Sequence, residues 1–179
     1  MRHIPAWPLL CGIAVAAPAL AAGTHAARIG NGLARVDLSG DGAPGMVVSA
    51  HRENHNAHGF EAVTFYVQAA GVWQIVPFQA DGLFRQLTFD TSEGAGCRLR
   101  DARLFPATPG HPARLLVADR AIGRSYADAA PVRFTTWELF HDTGGVPGTP
   151  DYYFRAAGSR MARHGYCDVG EAFRAEGGD

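Results

Sequence analysis

Lysine is absent from the 179 residues, so all 16 basic side chains are arginine. That absence removes lysine Schiff bases, the P-loop lysine and the Ser-x-x-Lys nucleophile together. An excess of charge is also missing, because 16 Arg meet 17 Asp and Glu for a formal net charge of -1. No polybasic surface favours nucleic acid or anionic lipid, and neither is expected as a partner. No apolar run approaches the ~20 residues that a membrane helix needs. The Gly-x-Ser-x-Gly elbow, the His-x-His-x-Asp zinc pattern and the His-Glu-x-x-His helix do not occur, which leaves the common hydrolase signatures unfilled.

What is present is enough for a core: 47% of residues are apolar and 18% charged, a balance typical of a packed globular chain. Arg2 stands before an apolar run from Leu9 to Ala17, closed by Pro18, Ala19, Leu20 and Ala21. This reads as a signal peptide over residues 1–22, leaving residues 23–179 as one domain in the periplasm or outside the cell. Cys11 lies inside that run behind the bulky Leu10, which argues against lipid attachment at a small-residue cleavage site. The remaining cysteines, Cys97 and Cys167, are expected to form one disulfide. It would close a loop of about 70 residues and contribute on the order of 4 kcal/mol in the loop-entropy picture.

Short segments rich in Val, Phe, Tyr, Trp and Thr, punctuated by Gly, Pro and Asp, read as strands. They are expected at 33–38, 45–51, 60–68, 72–78 and 86–91, then at 98–105, 113–119, 132–140 and 152–157. Within Phe60–Gln68, Val63, Phe65 and Val67 alternate with polar or half-polar residues, the pattern of a half-buried antiparallel strand. The fold class is therefore mainly β: two antiparallel meanders packed as a sandwich or as blade-like sheets. One short C-terminal helix is expected after Asp168, an N-cap with Glu171 placed for a capping box, and with Ala172 and Phe173 facing inward. Tyr152, Tyr153, Phe154 and Trp137 read as core.

Two polar motifs carry candidate chemistry. In Asp37-Leu38-Ser39-Gly40-Asp41-Gly42, oxygen side chains occupy alternate positions and Gly permits the sharp turn, which is how a loop wraps a hard cation. Asp37, Ser39 and Asp41 are thus expected to ligate Ca²⁺ weakly. Gly45 and Val48 fill the ninth and twelfth positions where stronger loops carry carboxylates, so an EF-hand is excluded and the spelling resembles the strand-linking loops of FG-GAP repeats. A polar hairpin, with Asp37 and Ser39 bonding the backbone, is the other reading. The second motif is His51-Arg52-Glu53-Asn54-His55-Asn56-Ala57-His58. In an extended run His51, Glu53 and His55 would share one side and Arg52, Asn54 and Asn56 the other. Zinc on the first side lacks a supporting pattern, whereas a ligand-contact loop on a rigid sheet is expected.

The segment DLSGDGAPGMVVSAHRENHNAHGFEAVTFYV (37–67), with WQIVPF, CRLRDARLF, PARLLVADR, TTWELF and YCDVGEAF after it, resembles the CarG-like family of carbapenem self-resistance proteins. The similarity runs over essentially the whole chain beyond residue 22. It implies an exported protein that shields against a carbapenem without hydrolysing it, hence a non-enzymatic binder of a small anionic ligand. In such a role Arg52 would grip the ligand carboxylate bidentately, Asn54 and Asn56 would meet an amide-like carbonyl, and His51 and Glu53 would complete the loop. A calcium-loop structural or partner-binding module of FG-GAP type is the alternative, with a hydrolase behind it.

Overall fold

The computed structural model describes residues 26–56 and 58–177, so the expected signal peptide lies outside the described residues. In chain order the strands are β1 (Ala27–Arg28), β2 (Gly32–Arg35), β3 (Gly45–Arg52), β4 (Phe60–Ala69), β5 (Val72–Ile75), β6 (Phe78–Ala80) and β7 (Leu83–Gln86). Then come β8 (Phe89–Asp90), β9 (Ser92–Gly94), β10 (Cys97–Phe105), β11 (Arg114–Arg120), β12 (Ala130–His141) and β13 (Tyr152–Tyr166), followed by helix α1 (Val169–Glu176).

Both expected meanders form. β2, β3, β4 and β5 pair in that order, with β8 on the same edge of β4 as β5. β10, β11, β12 and β13 make the larger sheet, to which β1 and β9 add on the outer edge of β10. The β6–β7 hairpin extends the other edge through a parallel pairing of β6 with β13. Alternation then fills the space between the sheets. Val47, Val63, Phe65 and Val67 from one sheet meet Leu104, Leu115, Val117, Leu139 and Phe154 from the other, all buried. Phe65, Phe78 and Phe154 form the centre, with ring centroids 5.0 to 6.0 Å apart. Trp137, half-buried, meets Phe78 edge-on at 5.4 Å.

A second, smaller core lies on the outer face of the larger sheet, where Val169, Ala172 and Phe173 of α1 cover Ala118, Val132 and Phe134. Asp168 caps the helix by accepting from Gly170 N at 2.7 Å, and its other oxygen accepts from Arg98 N at 2.8 Å. The disulfide Cys97–Cys167 fastens the same junction, with Cα atoms 5.9 Å apart. Beneath the helix Asp101 and Arg103 form a buried ion pair at 2.9 Å, and the Arg103 guanidinium lies 4.2 Å from the Phe173 ring centroid.

Four expectations need correction. The strand expected at 72–78 breaks at Pro77, and the chain changes sheets there. Val76 N still bonds Phe65 O at 2.8 Å in the smaller sheet, while Pro77 O accepts from Phe154 N at 2.8 Å in the larger one. A residue without an N–H cannot continue the first ladder. The strand expected at 86–91 is instead the end of β7 and the separate β8, because Asp81-Gly82, both at positive φ, make the tight turn of a hairpin. The strand expected at 152–157 runs on to Tyr166, with register shifts against β12. Glu171 does not complete a capping box: its backbone N–H bonds Asp168 O at 3.1 Å and its side chain is exposed.

Candidate functional site

The two polar motifs sit at opposite ends of β3, whose eight residues span roughly 23 Å at about 3.3 Å each. At the first end Asp37, Ser39 and Asp41 do converge. Asp37 accepts from Gly40 N at 2.7 Å and Gly42 N at 2.9 Å, Ser39 Oγ donates to Asp37 at 3.2 Å and to Asp41, and Asp41 accepts from Ala43 N at 2.9 Å. The bond from Ser39 and then that from Ala43 hold the Asp41 carboxyl below its ordinary value. Gly45 is fixed by space: a Cβ there would lie 2.2 Å from Val36 O. This is why the ninth position of the loop carries no carboxylate.

Neighbouring loops pack on this corner. Ala113 N bonds Leu38 O at 2.8 Å, and the Thr108–His111 turn is closed by reciprocal bonds of 2.9 and 2.8 Å. Gly40, at φ 80°, lets that turn approach: a Cβ would stand 2.7 Å from Thr108 O and 2.9 Å from His111 O. On one side of the turn is a cavity of about 490 Å³ that includes Phe105, Thr108, His111, Arg114 and Glu138 in its wall. On the other is one of about 410 Å³ bordered by Ser39, Asp41 and His141. His141 stacks on Tyr152 at 4.3 Å, and burial, then Asp41 and Asp151, push the Tyr152 hydroxyl up.

At the second end the extended reading holds only through Arg52. Beyond it the chain turns, with His55 at φ 55° and its N–H on Glu53 Oε1 at 2.5 Å. Asn54 and Asn56 each make one bond within the loop: Asn54 donates to His58 O at 2.7 Å and Asn56 accepts from His58 N at 2.8 Å. Arg52 lies over the Phe60 ring at 5.4 Å, and His51 approaches Glu53 at 3.7 Å. The division into His51, Glu53 and His55 on one side and Arg52, Asn54 and Asn56 on the other therefore does not continue past Arg52. Among the described residues no group of three His, Cys, Asp or Glu stands close enough to hold a metal ion.

His58, which ends the motif, does reach a cleft. Its ring meets Tyr126 edge-on at 5.3 Å and its Nδ1 lies 3.3 Å from Glu93 O. Gly94 makes room for both, since a Cβ there would lie 3.1 Å from the Tyr126 ring and 3.3 Å from His58 Nδ1. The cleft has a volume of about 430 Å³, with Phe60, Leu99, Ile122 and Tyr126 as apolar wall and Asp90 and Glu93 as acidic rim. Sequence reasoning missed Tyr126, Glu93, Arg114 and Glu138. Tyr126 stands in the connection between β11 and β12 and Glu93 in the three-residue strand β9, neither of which carries a motif, and the last two read as ordinary outward residues of strands.

The fold and its sites define a stapled, mainly β sandwich with small-molecule-sized, loop-walled clefts at both ends. A profile described as "Carbapenem resistance protein CarG-like" matches residues 29–175. The chain belongs to the CarG-like family. Among solved structures it is similar to one titled "Crystal structure of CarG", with a TM-score of 0.70 and 23% identity over 83% of this chain and 93% of that one. At that identity the likeness establishes the fold. No curated protein sequence matches the chain.

Proposed function

We propose that this protein acts outside the cytoplasm and protects against a carbapenem-type β-lactam by holding the drug rather than hydrolysing it. Family membership supports the carbapenem connection, and the Cys97–Cys167 bond supports an oxidising compartment. The observation that carries the binding reading is the pair of clefts of about 490 and 430 Å³, within the range of about 300–1,000 Å³ usual for small-molecule sites. The nucleophiles near the motifs support a non-hydrolytic role. Ser39 and Ser49 donate their hydroxyls to carboxylates, Ser49 to Glu61 at 3.0 Å, whereas an activated serine would be paired with an imidazole or another base. Calorimetric titration with a simple carbapenem, and survival of cells that express the protein in its presence, test the reading. Saturable one-to-one binding with protection is expected; no heat and no protection would refute it.

A weak Ca²⁺ site at Asp37, Ser39 and Asp41 belongs to the same proposal, supported by the convergence of their oxygens. Millimolar Ca²⁺ is expected to raise the melting temperature and EDTA to reverse the gain, with Kd of about 10⁻⁴–10⁻³ M. An unchanged melting temperature under both would leave the loop as a self-bonded turn.

A further inference from the structure

The outer face of the larger sheet is covered by α1 only around Phe134, and beside that cover a row of four residues crosses four strands. Phe105 pairs with Arg114, Arg114 with Glu138, and Glu138 with Arg155. Directly opposed residues of neighbouring antiparallel strands project on the same side, so these four form one line. Each arginine lies over an aromatic ring, Arg114 at 5.2 Å from the Phe105 centroid and Arg155 at 4.4 Å from that of Phe140. Among the ion pairs of the described residues, neither arginine is joined to Glu138. Of the two arginines only Arg114 lines the cavity in front of the row, beside Glu138.

In front of it lies the 490 Å³ cavity, whose far wall is the Thr108–His111 turn between Pro106 and Pro112. Three features hold that wall: Pro106 and Pro112 fix φ on either side, the turn is doubly hydrogen-bonded, and the Asp37–Gly42 loop packs on it through Gly40. We propose that this cavity is a carboxylate site. Arg114, whose guanidinium carbon lies 5.2 Å from the Phe105 ring centroid, offers its planar fork to the carboxylate, because a guanidinium is weakly hydrated and bonds a carboxylate bidentately. The Phe105 ring takes the compact apolar body of the ligand, and the Thr108 hydroxyl and His111 ring stand opposite for its polar atoms. Glu138, which lines the same cavity, repels a second carboxylate, so the site selects monoanions over dianions.

The cleft at the other end is the poorer choice for an anion, since Asp90 and Glu93 rim it and Asn54 and Asn56 are engaged within their own loop. For a β-lactam the assignment rests on the proposed function, whereas for compact carboxylates in general it does not.

Benzoate and a simple carbapenem are the probes, titrated at low ionic strength into wild type, Arg114→Gln, Arg114→Lys and Arg52→Gln. Arg114 is exposed, so the variants should fold, and circular dichroism checks that they do. Benzoate is expected to bind saturably, with affinity reduced by at least about tenfold in Arg114→Gln, less in Arg114→Lys, and by no more than about twofold in Arg52→Gln. Absence of saturable benzoate binding, or equal affinity in wild type and Arg114→Gln, would overturn the site. Displacement of benzoate by the carbapenem identifies the drug as a ligand of this cavity. Carbapenem binding undiminished by Arg114→Gln would remove the drug from this site and leave the proposed function, while benzoate binding without any carbapenem binding would do the reverse.

Discussion

At the scale of single residues, the Asp37–Gly42 loop is held by its own side chains, while Gly40 within it and Gly45 after it answer to space. Gly45→Ala is expected to cost about 1–3 kcal/mol in urea unfolding, as overpacking does, because the added methyl meets Val36 O at 2.2 Å. Asp41 adds a pH signature. Its carboxyl is held below the ordinary value by donation from Ser39 and Ala43, so it stabilises the fold above the unfolded-state pKa of about 4. That contribution fades as pH falls through the lower folded value. Stability curves of wild type and Asp41→Asn should therefore differ near neutrality and converge in acid; a gap that persists at low pH would contradict the assignment. The loop was legible from its spelling alone. Its buttressing of the Thr108–His111 turn was not, because a contact between loops far apart in sequence leaves no local pattern.

At the scale of elements, α1 has almost no independent reason to exist, since eight residues are too few to hold a helix in water. Three things hold it: the Asp168 cap, burial of Phe173 against Phe134 at 5.5 Å between ring centroids, and the disulfide. Glu176 adds a tie to β13 by accepting from Arg163 N at 3.0 Å, which, ahead of the bond from Tyr166, lowers its pKa. Replacing both Cys97 and Cys167 with Ser should lower unfolding free energy by about 2–4 kcal/mol. Phe173→Ala should cost about 3–5 kcal/mol, read by the same denaturation. The cap and the inward Phe were legible in sequence, as were the strands whose side chains alternate. Less legible were the hairpins at Ala70-Gly71 and Ala95-Gly96, where an alanine takes positive φ in place of the Asn or Asp that usually marks such turns. The far half of β13 was also hidden, because Ala156, Ala157, Gly158 and Ser159 lack the β-branched and aromatic residues by which a strand is recognised.

At the scale of the whole molecule, two meanders share one core, and among the described residues the chain passes between the sheets after β1, at Pro77 and again on either side of β8. Long-range pairing and one disulfide make the frame rigid, which lets connections at each end present side chains in fixed positions. The motif at the start of β3 supports the cavity that holds Arg114, whereas the one at its end supplies His58 to a cleft with an acidic rim. The sequence-level choice of Arg52, Asn54 and Asn56 assumed an extended run, whereas the strand ends at Arg52 and the chain turns at His55. The central claim is that the protein holds a carbapenem intact. Equilibrium dialysis of the disulfide-bonded protein against a simple carbapenem, with intact β-lactam quantified on both sides, tests it most directly. The account predicts an excess of about one equivalent of intact drug on the protein side and no loss of the total. Equal concentrations on the two sides, or destruction of many equivalents of drug, would contradict it.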